Sequence, residues 1–415
     1  RAHEWNSGVL CASRDCDILH IGWADLVLNS SYLCAYYQDF NATTRKWIGT
    51  PTRIATADHT KKQGVFTRDI AVTNRGTLAI AVGVGANGGQ GMGPWECGLL
   101  IKKAGAKSFS KLYPMRNGGY PESREASIVV VEEVVHCAFK SSKGAGGMAY
   151  RSFDTTTMTW QQSTQVMVGP NHNGINGVDG INAGNKGMIT ADTTGGLYIM
   201  YLSGSNGGVV ANNKMRMAYA KNGTGSKNSD WKDCGILDHN LTLGKNPRGV
   251  TNPDPAYPIL QGGDTDYYYY TVAPGIQDAV FVFYSKPWED FQHKYMQIWL
   301  HGVNQKWFGG KEIQFWNDTA PLVFERLGAL RNTSSLGHAV WLSYGKNDAP
   351  INGLAPNGIV RLWAVTTNLG RTSSFGTGCP SASGQIPRMR ANPTNLPQLG
   401  NRYQIDIDRM PSQAM

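Results

Sequence analysis

Groups able to move protons cluster in four short polar segments, each set just before or on a strand-like run. The first is Ala57-Asp58-His59-Thr60, followed in the next run by Arg68-Asp69. The second is Tyr120-Pro121-Glu122-Ser123-Arg124-Glu125. The third is Asn171-His172-Asn173-Gly174, with Asn176 and Asp179 beyond it, and the fourth is Asp264-Thr265-Asp266 ahead of Tyr267–Tyr270. Histidine and tyrosine suit general acid–base work, and arginine grips a carboxylate with two parallel donors. Asp58, Asp69, Glu122 and Asp179 are the carboxylates that a hydrolase would pair. Asp179, Asp264, Asp266 or Asn residues are the candidate ligands of a structural calcium, although no loop carries a calcium signature; no cofactor is required.

The elements that must position these groups repeat. A strand-like aromatic run, a polar turn, an aromatic and a second short strand return about every sixty to seventy residues. The pattern occurs at Cys34–Ile48, Cys97–Tyr113, Met148–Gln161, Met215–Lys232, Lys294–Phe308 and, more weakly, Val360–Phe375. Its anchoring aromatics are Trp47, Phe109, Trp160, Trp231, Trp307 and Phe375. A second set of strand pairs precedes the outer ones, for example Val65–Thr73 with Thr77–Val84 and Ser127–Val131 with Val134–Phe139. The period predicts an all-β chain built as a β-propeller, one domain over residues 1–415. Head (Arg1–Asp17) and tail (Gly376–Met415) are expected to combine into a seventh blade and close the ring; six blades is the alternative. A β-sandwich or an irregular β protein is the competing architecture. Site residues should then lie where the innermost strands converge.

Composition narrows the class. Fifty glycines and few charges suit short strands and tight turns. No apolar run is long enough for a helical membrane span. The net charge is +9 without a lysine–arginine block, which disfavours a nucleic-acid arm and favours an acidic ligand such as an acidic polysaccharide or oligosaccharide. A monomer is expected, with neither nucleic acid nor membrane as partner. The chain opens at Arg1 without Met, as a processed or trimmed form would. Together with six sequons, at Asn29, Asn41, Asn222, Asn240, Asn317 and Asn332, this predicts a secreted protein. Seven cysteines without a CxxC pair then predict one to three disulfides, with a nucleophilic cysteine as the sharper alternative.

Two resemblances add to this. Ser152-Phe153-Asp154-Thr155-Thr156-Thr157-Met158-Thr159-Trp160 resembles an Asp-box, with one residue inserted and its glycine missing. The Asp of such a turn caps backbone amides and its Trp packs between blades, a structural role. Asp58-His59 ahead of one inner strand and Tyr120-Pro121 ahead of the next resemble the sialidase-related propeller polysaccharide lyases, such as ulvan lyases and the rhamnosyl-glucuronate lyases acting on gum arabic. The blade rhythm covers most of the chain. The chain departs where that pattern has a second histidine, here Val84-Gly85-Ala86-Asn87, and where it has an arginine, here Lys140.

The resemblance implies β-elimination on a uronic acid. A base removes the proton at C5, an acid protonates the departing O4, and a cation neutralises the carboxylate. His59 or His172 would be the base and Tyr120 the acid. Arg124 would hold the carboxylate, with Lys140 or Arg151 as the less favoured choice. Arg68, Asn87, Asn173 and His338 complete the expected substrate contacts. The competing functions are a glycoside hydrolase on a sialidase-like propeller and a non-catalytic carbohydrate-binding propeller.

Overall fold

A computed structural model describes residues 9–13, 17–26, 33–55, 63–86, 96–117, 123–141, 147–168, 185–203, 214–237, 270–275, 278–285, 294–302, 305–312, 322–329, 338–345, 360–366, 388–391 and 405–408. These residues are almost wholly strand. Consecutive antiparallel hairpins build sheets in chain order. The first holds β1 (Val9–Ala12), β2 (Ile18–Leu26), β3 (Leu33–Asn41) and β4 (Lys46–Ala55). The second holds β5 (Gln63–Val72), β6 (Leu78–Ala86), β7 (Glu96–Lys102) and β8 (Tyr113–Pro114). The third runs from β9 (Ser123–Val131) through β10 (Val134–Ser141) and β11 (Gly147–Asp154) to β12 (Thr159–Trp160), with β13 (Val166–Val168) also on β11.

The fourth sheet contains β14 (Asn185–Ala191), β15 (Leu197–Ser203), β16 (Lys214–Ala220) and β17 (Trp231–Ile236). The fifth contains β18 (Tyr270–Pro274), β19 (Ala279–Ser285), β20 (Lys294–Leu300) and β21 (Lys306–Glu312). Three strands follow, β22 (Leu322–Ala329), β23 (His338–Gly345) and β24 (Val360–Thr366), and then the pair β25 (Arg388–Ala391) and β26 (Ile405–Asp408).

Two expectations need correction. The head does not wait for the tail: β1 pairs with β2 from Val9–Gly22 to Ala12–Leu19 and completes the first sheet. The tail strands β25 and β26 pair with each other. Nor does a disulfide join any of the described cysteines, Cys11, Cys34, Cys97, Cys137 and Cys234; Cys16 and Cys379 lie outside the described residues. A buried lone cysteine packs as a small apolar residue, and that is how these strands use it. Burial, helped by the charges of Asp69 and Asp39, pushes the Cys11 thiol up, and burial with Asp233 does the same to Cys234. Such thiols stay protonated, which removes the nucleophile alternative for these two. Of the sequons, Asn222 donates its Nδ2 to Thr194 O at 2.7 Å, using the atom a glycan would occupy.

Backbone contacts group the chain into two compact units, Arg1–Cys137 with Ser152–Ser163 and Asn368–Met415, and Ala138–Arg151 with Thr164–Thr367. In the first unit, β1, β5 and β9, the leading strands of three successive sheets, pack on one another. In the second, β14, β18 and β22 repeat that arrangement. Strands buried on both faces read as continuous apolar runs, as Leu78–Val82 does with every residue at 2 % exposure or less. The first unit's core gathers Ala35, Tyr37, Ile54, Val65, Ile80, Val82 and Leu100. The second unit's core gathers Tyr198, Met200, Met217, Val272, Val280, Val282 and Trp299. Each large apolar side chain so buried contributes roughly 1.5–3 kcal/mol.

The amide capping expected of the Asp-box turn is present. Asp154 Oδ1 accepts from Thr156 N at 2.7 Å and Thr157 N at 3.2 Å, while Trp160 lies edge-on to Phe153 of its own sheet. Phe153 in turn reaches Tyr113 of β8, ring to ring at 4.7 Å. The first sheet repeats the device at the same spacing: Asn41 Oδ1 accepts from Thr44 N at 2.7 Å, and Trp47 lies edge-on to Phe40. Arg45 and Met158 hold the same left-handed position in the two turns, at φ 55° and 60°.

Candidate active site

Call the end of each sheet where its leading strand begins the leading end. At the second sheet, Gln63 pairs with Ala86, so β5 begins and β6 finishes side by side. The segment carrying His59 joins the sheet here, and Asn87 follows directly after Ala86. At the third sheet, the tight turn Glu132-Glu133, with Glu132 at φ 56°, folds β10 back on β9. That sets Arg124, the second residue of β9, and Lys140, the penultimate residue of β10, at the end away from the turn. Tyr120 stands three residues before β9 in sequence.

Arg68 has the best-defined local geometry of the predicted contacts. The β5–β6 register passes from Thr67–Val82 directly to Asp69–Ala81, so Arg68 is the extra residue of a β-bulge. A bulge re-aims the side chain it carries. Glycine at 83 makes room for the guanidinium: a Cβ there would sit 3.3 Å from Arg68 Nε. Arg68 is half-buried, while Thr67 and Asp69 on either side are buried. Asp69, offered by the sequence as a hydrolase carboxylate, is spent inside the fold. It accepts from Ile70 N at 2.9 Å, Ser127 Oγ at 3.0 Å and Ile128 N at 2.8 Å, tying β5 to β9.

The remaining predicted residues divide as follows. His59, Tyr120, His172, Asn87 and Asn173 lie outside the described residues, as do Asp58, Asp179, Asp264 and Asp266. Lys140 is half-buried on β10. Arg151 sits within β11 and is 4 % exposed, closed to a polymer in this conformation. His338 opens β23, and Leu322 pairs with Gly345, so His338 stands at the end of its sheet remote from the leading end. Among the described residues, no group of three or more His, Cys, Asp and Glu side chains could hold a metal ion.

Sequence reasoning passed over three titratable groups. His136 shares with Lys140 the half-buried face of β10, two pairs of residues apart, and burial pushes its pKa down to about 4. His20, Tyr37 and Asp39 form a cluster at the trailing end of the first sheet. His20 Nδ1 lies 2.7 Å from Asp39 Oδ1 and 2.8 Å from the Tyr37 hydroxyl, which donates to the same carboxylate oxygen. Lys102 Nζ stands 5.1 Å above the Tyr37 ring. Asp192, at 0 % exposure, closes the β14–β15 turn by accepting from Thr194 N, Gly196 N and the Tyr198 hydroxyl. The signal for these was faint: each carboxylate is a single Asp in a strand or turn, and its partners are fixed by cross-strand register.

No protein-family model matches the chain, and no curated protein matches it. Solved structures do share its fold. A protein of unknown function from Dyadobacter fermentans superposes with a TM-score of 0.50 at 10% identity, covering 87% of this chain and 94% of that one. The polysaccharide lyase Uly1 superposes with a TM-score of 0.50 at 10% identity, covering 87% of this chain and 77% of its own. A Trypanosoma rangeli sialidase follows at 0.49 and 10% identity, over 83% of this chain and 53% of that one. The neighbours are β-propellers, in accord with the repeating four-stranded sheets.

Proposed function

We propose that the chain is a secreted β-propeller that cleaves a uronate-containing polysaccharide by β-elimination. The observation that carries this is Arg68, bulged out of a leading strand over Gly83 and half-exposed, on the strand that the His59 segment feeds. A fixed cation able to neutralise the uronate carboxylate is one of the groups such a reaction needs. The fold shared with a polysaccharide lyase supports the same reading.

In the proposed step His59 or His172 takes the proton from C5. The electron pair left behind forms the C4–C5 double bond. The C4–O4 bond breaks, and Tyr120 returns a proton to the departing oxygen. Arg124 and Arg68 hold the uronate carboxylate, which lowers the cost of the charge that builds up beside C5. Asn87, Asn173 and Lys140 are the remaining proposed substrate contacts.

The test is absorbance of the unsaturated uronate product with a panel of acidic plant and algal polysaccharides. A rise with one of them identifies reaction and substrate together, and His59→Ala should abolish it while leaving the circular dichroism spectrum unchanged. New reducing ends without that absorbance would mean hydrolysis. Retention of a polysaccharide with neither signal would mean a binding protein.

A further inference from the structure

The outer strand of the first sheet carries an exposed aromatic that the fold does not use as an anchor. Trp47 is 54 % exposed and Ile48 44 %, whereas Trp231, the corresponding aromatic of the fourth sheet, is 8 % exposed. Every residue from Thr44 to Arg53 is exposed. This run, Thr-Arg-Lys-Trp-Ile-Gly-Thr-Pro-Thr-Arg, holds three cations and no acidic residue. The described ion pairs give Arg45 and Lys46 no partner.

Two further features decide what such a surface can receive. The Trp47 indole is braced from behind by Phe40, edge to face at 5.3 Å, so its plane is held in place. A braced aromatic offers a large contact area and loses little freedom when a ligand covers it. The strand itself is unfit to pair with another strand. Gly49 sits at φ 66°, Pro51 lacks a donor, and the β3–β4 register slips twice, between Ala35 and Tyr36 and between Tyr37 and Asp39. Edges so broken resist strand addition, which argues against a second copy here.

We infer that Trp47, with Arg45 and Lys46, forms a second binding surface for an acidic polysaccharide, away from the reaction. A pyranose ring stacks on the indole while its neighbours' carboxylates or sulfates meet the two cations. The polysaccharide as ligand rests on the function proposed above; the surface does not depend on cleavage.

The experiment is affinity electrophoresis through gels cast with polygalacturonate, alginate or ulvan, with neutral dextran as the control. The wild type should be retarded by at least one acidic polymer and not by dextran. Trp47→Ala should weaken that retardation about tenfold, Trp47→Phe should restore part of it, and the exposed pair Arg45→Glu with Lys46→Glu should abolish it. His59→Ala should be retarded like the wild type. Loss of retardation in Trp47→Ala without elimination by any variant would uphold this surface and sink the lyase. Three results would overturn the surface: no retardation by any acidic polymer; unchanged retardation in Trp47→Ala with loss in His59→Ala; or a wild-type dimer in sedimentation that Trp47→Ala converts to monomer.

Discussion

Asp69 accepts three hydrogen bonds at 4 % exposure, two of them from residues 58 and 59 positions further along the chain. Asp69→Ala takes an acceptor from Ser127 Oγ and from Ile128 N, and it should cost about 3 kcal/mol, read as a lower urea midpoint. Asp69→Asn, which keeps one acceptor oxygen, should cost less. Asp39 acts through its charge instead. Burial works to raise its pKa, but hydrogen bonds from His20 and Tyr37 and the charges of His20 and Lys102 outweigh it and hold it below the usual range. A lowered folded-state pKa adds stability above the unfolded value of about 3.9, and that stability is lost as pH falls through the folded value. Asp39→Asn should therefore melt at lower temperature than the wild type near neutral pH, and the two should converge in strong acid. Equal melting temperatures at neutral pH would contradict this. Neither role was legible in the sequence. Arg68 was legible as a cation near His59; its bulge was not, because the register slip appears only when β5 meets β6.

The hairpins were the most legible level, since a two-residue alternation of apolar and polar residues is local. Even there the limits moved: β22 begins at Leu322, where alternation alone would start the strand at Leu327. The outer turns were legible where an Asx residue and a tryptophan stand six residues apart, as in Asn41 with Trp47 and Asp154 with Trp160. What the motif does not convey is burial, and Trp47 shares the spacing of Trp160 while lying open to solvent. The turn makes two predictions of opposite sign. Asp154→Ala removes the acceptor for Thr156 N and Thr157 N, and should lower stability by about 1 kcal/mol. Met158 occupies the left-handed region at φ 60°, where a side chain is strained and glycine is not. Met158→Gly should therefore raise the melting temperature or leave it unchanged, and a fall comparable to that of Asp154→Ala would show that the Met158 side chain packs.

At the scale of the whole molecule the governing quantity is charge. The chain carries 39 Lys and Arg against 30 Asp and Glu, and no block concentrates the excess. A spread excess of this kind produces a weak long-range attraction for polyanions, which salt screens over about 10 Å at 0.1 M. Stacking on an aromatic face is short-ranged and is not screened in that way. The two contributions should therefore separate in a salt titration. Retention by an acidic polymer should fall about tenfold between roughly 0.05 and 0.5 M sodium chloride. The Trp47→Ala variant keeps the charges and loses the stacking, so its retention should lie below the wild type's by a constant factor while both fall in parallel over the same range. Arg45→Glu with Lys46→Glu should be weak at low salt already and change little. If the curves of wild type and Trp47→Ala coincide, the indole contributes no unscreened contact and the attraction is a property of net charge alone.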